Sequence, residues 1–348
     1  MNYRNLGSTG LEVSELGLGC SSLGNSIFNY AHENEFLKVL NYAFENGINF
    51  FDTADSYAYG HSEILIGKAF GNKRDKVIIC TKVGFLPSSL SLRAKSLIPF
   101  LGNARKLIAP FKKNLKKLSK KNQNFSYKHI QSSVEKSLKR LNTDYIDLYL
   151  LHNPPTELIQ KGEVFKILNE LKKEGKIRFY GVSAHTIDDA VLCLNYPEIS
   201  ALQIEFNLLH QEAAWKLFPF LEQRKIGIIA KVPLARGLLT EYGKVKTGSF
   251  ISRQEFYERH KGNLKKLEKE INKKIIPEAA IRFILKFHEV STLIAGTKSF
   301  EHLKENLRIL SKPDLSFKEL EKVFKIYSPE KEPRYVAEVS GRQEEKRG

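Results

Sequence analysis

Apolar residues fall along this chain in two alternating rhythms: short unbroken runs, and longer stretches in which they recur at every third or fourth position. The runs predict strands buried on both faces, and the spaced stretches predict helices that lay one side on a sheet. Ser14–Cys20, Ile48–Phe51, Val77–Thr81, Ile146–Leu151, Phe179–Ser183, Ala201–Phe206, Ile226–Ala230 and Thr292–Ala295 are of the first kind. Between and after them come helical patterns. These are Glu35–Glu45 (Phe36, Val39, Leu40 and Ala43 on one side), Ser62–Phe70, Ser126–Leu141, Thr156–Lys173, Ile187–Leu194, Glu212–Gln223, Pro277–His288 and Phe300–Leu310. Pro154-Pro155 forces a turn ahead of the fourth pattern and Gly175 stops it. Tyr3–Val13 alternates around Gly7-Ser8-Thr9-Gly10, a hairpin signal. Strand–helix alternation of this length, with right-handed crossovers, closes best as a single (β/α)8 barrel of the TIM type, its bottom plugged by the N-terminal β-hairpin.

In such a barrel, chemistry gathers where strands end. The strand from Ile48 releases Asp52 and then, in a loop, Tyr57; the next delivers Lys82; the one after delivers His152. An Asp at the end of a buried strand is costly unless a cation meets it, and Lys82 is the cation at hand. A carboxylate, a phenol, an ammonium and an imidazole at three successive strand ends are a set for moving a proton to a carbonyl oxygen. A free tyrosine has a pKa near 10, and a neighbouring ammonium favours the phenolate, so Lys82 is expected to lower the Tyr57 pKa while Asp52 holds Lys82 charged. His152 would orient the carbonyl and stabilise developing negative charge. Each residue alone also has a plain structural role, and Tyr59 lies two positions from Tyr57 as a competing phenol. The convergence of all four is what points to catalysis.

Composition sets the bounds. A chain of 348 residues, 42% hydrophobic, is long enough for one sizeable core. The expected organisation is one barrel over residues 1–330, with an insertion at 86–122 after the third strand, and a tail at 331–348. Cys20, Cys80 and Cys193 have no metal-ligand spacing and read as small buried residues, so no metal is expected. Gly17 and Gly19 invite a dinucleotide fingerprint, but Gly24 comes too late for one. The N-terminus is polar and no apolar run is long enough to span a membrane, from which a cytoplasmic enzyme follows. The net charge of +17 is uneven: Leu86–Lys121 holds ten Lys or Arg and no Asp or Glu. The remainder is only mildly basic, which argues against a nucleic-acid partner.

The stretches FDTADSYAYGHSE, ICTKVG, DYIDLYLLHNP, GKIRFYGVS, LQIEFN, VPLARGLLT and IAGTKSFEHLKEN, in this order from residue 51 to residue 306, resemble the landmarks of the aldo-keto reductase family. The resemblance covers roughly Tyr3 to Leu310. It implies the barrel and reduction of an aldehyde, ketone or sugar carbonyl by a nicotinamide cofactor, with Asp52, Tyr57, Lys82 and His152 as catalytic residues. It also implies a cofactor site. Gly19, Cys20 and Asp52 lie on one side of it, and Ser183 and Gln203 are suited to the carboxamide. Lys231 stands where many members carry a stacking aromatic, and Ala184 where many carry asparagine. Pro233, Leu234 and Gly237 belong to the loop over the pyrophosphate. Gly296, Thr297, Lys298, His302, Glu305 and Asn306 resemble the adenosine end. Lys298 and helix N-terminal amides favour NADP, with NAD as the alternative, since His302 stands where NADP-preferring members often carry arginine. A second reading, from another class, is a cofactor-binding regulatory subunit with vestigial activity, as some barrels of this family are for potassium channels.

The basic segment is this chain's own feature. Leu97, Leu101, Ala104, Ile108, Phe111, Leu115 and Leu118 follow a helical rhythm that Pro99, Gly102 and Pro110 interrupt, so a basic helical insertion is expected. Three roles stand open for it: a packed decoration, a lid that attracts an anionic substrate, and a helix for a membrane surface or a partner.

Overall fold

The computed structural model describes residues 1–22, 33–86, 122–240, 251–270, 276–297 and 299–311. Most of the basic insertion, Lys298 and the tail at 331–348 lie outside the described residues. Two short strands, β1 (Tyr3–Asn5) and β2 (Glu12–Ser14), pair antiparallel with Tyr3 opposite Ser14. The barrel strands are β3 (Leu16–Gly19), β4 (Phe50–Asp52), β5 (Ile78–Val83), β6 (Ile146–His152), β7 (Ile177–Ser183), β8 (Ala201–Glu205), β9 (Gly227–Lys231) and β10 (Val290–Gly296). All eight are parallel, and β10 closes the ring against β3 with Leu293 opposite Leu16.

The apolar runs are unbroken because each strand is covered twice. Outward side chains such as Phe51, Ile79, Tyr149, Val182 and Leu202 pack under the helices. Inward ones, Phe50, Cys80, Leu148, Leu150, Ala201, Ile229 and Ile294, fill the barrel. Leu6, Leu11 and Val13 of the hairpin join that interior cluster. The hairpin sits at the N-terminal mouth, where Ser8 N–H donates to the Lys225 carbonyl just ahead of β9. Gly7 has no room for a side chain there: a Cβ would lie 2.4 Å from that same carbonyl oxygen, and its φ is +57°.

Helix boundaries differ from expectation where glycine or proline interrupts. The pattern over Thr156–Lys173 is two helices, Thr156–Lys161 and Glu163–Lys173, divided by Gly162 at φ 68°. The pattern over Glu212–Gln223 splits into Ala213–Lys216 and Leu221–Arg224, with Pro219 in the single turn between them. Ile251–Glu270 is the charged helix that follows β9. Phe300–Leu310 spans the expected residues. Among the described residues no helix is long and apolar enough to cross a membrane.

Candidate active site

Asp52 ends β4, Lys82 lies one residue from the end of β5, and His152 is the last residue of β6. Lys82 is fully buried and Asp52 is 2% exposed. The Lys82 ammonium donates to the Asp52 carboxylate at 2.7 Å and to the Thr53 carbonyl at 2.7 Å. Burial works against that charge, but Asp52 and then Tyr57 overcome it and push the Lys82 pKa above its ordinary value. Tyr57 leaves the loop after β4 with its ring centroid 5.1 Å from the ammonium and its edge toward His152, 5.8 Å between centroids. Phe85 also packs on His152, ring to ring at 4.5 Å. The expected lowering of the Tyr57 pKa does not occur. Lys82 does pull it down, but burial is the larger effect and leaves the phenol above its usual value.

A hydrogen-bonded chain runs from this cluster across the barrel mouth. Gln203 Nε2 donates to Asp52 at 2.7 Å, and its Oε1 accepts from Ser183 Oγ at 2.9 Å. Lys231 donates to Ser183 Oγ at 3.0 Å, to the Ala184 carbonyl at 2.9 Å and to Asn153 Oδ1 at 3.3 Å. Register dictates this order, because His152 sits opposite Ser183 and Ser183 opposite Gln203. Burial, with repulsion from Lys82, lowers the Lys231 pKa to about 8.

A cavity of about 870 Å³ opens beside the chain. Asp52, Tyr57, Gln203 and Lys231 line one end, and Thr297, His302, Glu305 and Asn306 the other. Its wall between them is the loop after β9, where Val232, Ala235 and Arg236 hold φ of 61°, 46° and 58°. Such left-handed non-glycine residues persist only where the surroundings over-determine them, and they cluster at functional sites. At the far end Ser299 caps the helix Phe300–Leu310, its Oγ accepting from His302 N–H at 3.4 Å.

The aldo/keto reductase family model matches residues 15–328. The chain belongs to the aldo/keto reductase family. YqkF of Bacillus subtilis, an uncharacterized oxidoreductase, is 30% identical over 326 residues, covering 92% of this chain and 94% of its own. An aldo-keto reductase from Bacillus halodurans in its holo form superposes with a TM-score of 0.75 at 27% identity, over 97% of this chain and 99% of that one. An aldo-keto reductase from Klebsiella pneumoniae, solved in complex with NADPH, shares the fold at a TM-score of 0.65 and 22% identity, over 95% of this chain and 97% of its own. The protein is therefore an oxidoreductase of this family, and the regulatory-subunit alternative gains no support from these relatives.

As an aldo/keto reductase the chain can be read residue by residue. Gly19, Asp52, Tyr57, Gln203, Lys231, Pro233, Leu234, Gly237, Gly296, Thr297, His302, Glu305 and Asn306 all line the cavity. Ser183 lies just behind Gln203 and Lys231, buried, and Lys82 is buried behind Asp52. Cys20 is buried and does not line the cavity; its backbone carbonyl accepts from Ser62 Oγ. Lys298 lies outside the described residues. Sequence reasoning passed over Asn153 and Arg308, and took Arg236 only as part of the VPLARGLLT loop, not as a site residue. Asn153 directly follows His152, so the strand end itself carried that signal. Arg308 was hidden among a surplus of basic residues, and the cavity wall is what singles out both arginines.

The residues present fit a nicotinamide dinucleotide. The cavity is lined both by the polar groups at the strand ends and by residues of the capped helix N-terminus, as a ligand with a carboxamide at one end and phosphates at the other requires. Gly19 and Gly296 face each other so closely that a Cβ on Gly19 would lie 3.3 Å from Gly296 Cα, so β3 and β10 present bare backbone to the cavity.

Proposed function

We propose that this protein reduces the carbonyl of an aldehyde, ketone or sugar with NADPH, Tyr57 serving as general acid. The observation that carries the reading is the buried Lys82–Asp52 pair beneath Tyr57, whose ring meets His152. Asp52 and Tyr57 line the head of the cavity, while His152 stands against Tyr57 and does not line it. When bound, the cofactor supplies the hydride that reaches the carbonyl carbon. Tyr57 keeps its proton at neutral pH and gives it to the carbonyl oxygen, which completes the alcohol. The phenolate left behind lies beside the Lys82 ammonium, which stabilises it until solvent returns the proton. His152, T-shaped to Tyr57, hydrogen-bonds the carbonyl oxygen and orients it.

Ser183, Gln203 and Asn153 are the hydrogen-bonding groups for the carboxamide, with Lys231 among them. Arg236 and Arg308 on the cavity wall, with His302 and the helix amides, are the groups for phosphates, and they favour NADP over NAD. The Klebsiella relative binds NADPH, but at its identity only the fold transfers, so the preference rests on these residues. A cytoplasmic location fits the reading.

Tyr57→Phe should abolish loss of NADPH absorbance with a panel of aldehydes while cofactor still binds, and Tyr59→Phe should cost little. Equal losses in the two variants would overturn the assignment. The ten uncompensated cations of Leu86–Lys121, following the strand of Lys82, favour an anionic substrate. Salt screens such attraction over about 8 Å at physiological strength, so kcat/KM for a sugar phosphate should fall with salt while that for a neutral aldehyde holds. Parallel salt responses would remove the anionic preference.

A further inference from the structure

Behind the Tyr57 loop lies a group of buried and half-buried polar residues that the reaction does not use. The backbone of Ala58, Tyr59 and Gly60 holds φ of 48°, 60° and 88°, three left-handed residues in succession immediately after Tyr57. A turn of this kind needs outside support to persist. Arg140, from the helix Tyr127–Leu141, supplies it on one side. Its side chain fills the space under Gly60, where a Cβ would lie 2.7 Å from Cδ and Nε. The guanidinium then donates to Glu63 at 2.6 Å and to Ser137 Oγ at 3.1 Å. Glu63 is fully buried and accepts from Thr81 Oγ1 at 2.6 Å, so it links the turn to the residue preceding Lys82. Gly67 permits this arrangement, since a Cβ there would strike the Leu141 carbonyl at 2.7 Å and hold the two helices apart.

Asp55 completes the group from the front. Its N–H donates to the Lys82 carbonyl at 3.2 Å. Its side chain turns inward, where Oδ1 is buried and without a hydrogen-bond partner among the described residues, as is the Tyr149 hydroxyl. The groups that act on Asp55 are Glu63 from the helix His61–Phe70, Arg140 from the helix Tyr127–Leu141, Lys82 from β5 and the Ser56 N–H, while Tyr149 from β6 feels its charge.

We propose that Asp55, Glu63 and Arg140 form a clamp that positions Tyr57, acting through the left-handed turn without touching substrate. This rests on the reading of Tyr57 as the general acid. Arg140 is bonded to Glu63 alone of the two carboxyl groups and reaches Asp55 only through its field. Burial and then Glu63 push the Asp55 pKa up to about 7, against Arg140, the Ser56 N–H and Lys82. Below that pH a neutral Asp55 packs beside Glu63. Above it a second buried negative charge is repelled, and the turn that carries Tyr57 loosens. The rate of hydride transfer thus falls as pH rises through about 7.

The experiment is single-turnover NADPH oxidation by an aldehyde, which takes the hydride and a proton to become the alcohol. It uses the full chain from pH 5.5 to 9, alongside cofactor affinity and thermal unfolding. Arg140→Met should slow the turnover about 10- to 100-fold, the scale of an ångström-level misplacement, with substrate KM and cofactor Kd changed less than about twofold. Arg140→Lys should recover part of the rate. Asp55→Asn, which cannot ionise, should remove the inflection near pH 7. A wild-type rate in folded Arg140→Met, or a wild-type inflection in Asp55→Asn, overturns the clamp. If Arg140→Met does not fold, Asp55→Asn decides. Tyr57→Phe at the wild-type rate would sink the Tyr57 assignment itself, whereas a dead Tyr57→Phe beside normal clamp variants sinks the clamp alone.

Discussion

Two lysines at the barrel mouth titrate in opposite directions for stated reasons. Lys82 is buried deeper but bonded to Asp52, and its pKa rises; the hydrogen bonds of Lys231 among the described residues go to neutral oxygens, and burial beside Lys82 brings it down to about 8. The folded chain therefore binds fewer protons at Lys231 than the unfolded chain does between about 8 and 10.5, and this group's contribution to stability grows with pH across that window. If the nicotinamide lies where it is proposed, charge on Lys231 would also discriminate redox state, because the oxidised ring is cationic and the reduced ring is not. Affinity for NADP⁺ relative to NADPH should rise as pH passes from 7 to 9 in the wild type, and that dependence should vanish in Lys231→Met. Fluorescence titration of both forms checks this, and a ratio that ignores pH in the wild type would contradict it.

At the scale of elements, the site depends on how closely β7 approaches β8. Gly181 makes that approach feasible: a Cβ there would sit 1.9 Å from the Ala201 carbonyl oxygen and 3.1 Å from Leu150. The same strand pair carries Ser183 opposite Gln203 two residues on. Gly181→Ala should destabilise by about 1–3 kcal/mol or more, as overpacking does, read as a lower urea midpoint. It should also weaken cofactor binding, because the Ser183–Gln203–Asp52 chain would be stretched. An unaltered cofactor Kd in the folded variant would show that the chain does not set the site. Gly181 was visible in the sequence only as a glycine within a strand pattern; the partner that demands it is twenty residues away.

At the scale of the molecule, function and support occupy opposite ends of the barrel. The hairpin packs Leu6, Leu11 and Val13 into the N-terminal mouth, and the cavity opens where β4, β8, β9 and β10 end. Leu6→Ala should then cost about 2–5 kcal/mol of stability, the range for a buried leucine, while kcat of the folded enzyme stays unchanged. Denaturant unfolding and steady-state kinetics separate the two, and a large fall in kcat would mean the plug reaches the site through the interior.

Sequence by itself determined the barrel, because apolar runs buried on both faces allow few alternatives once eight of them alternate with one-sided helices. It also determined that Asp52, Lys82 and His152 fall at or beside successive strand ends, and so on one rim, whereas Ser183 and Gln203 were reached through the family resemblance and Gln203 lies inside β8. Tertiary structure alone decided the energetics. The Tyr57 pKa is raised, against expectation, because desolvation depends on how tightly distant elements close over the phenol, and no local pattern encodes that. The partners of Lys231 and the Arg140–Glu63 support are likewise set by strand register and helix approach across separations of 48 and 77 residues. Local spacing reports what a residue can do. Which of those chemistries is expressed follows from the neighbours that folding brings.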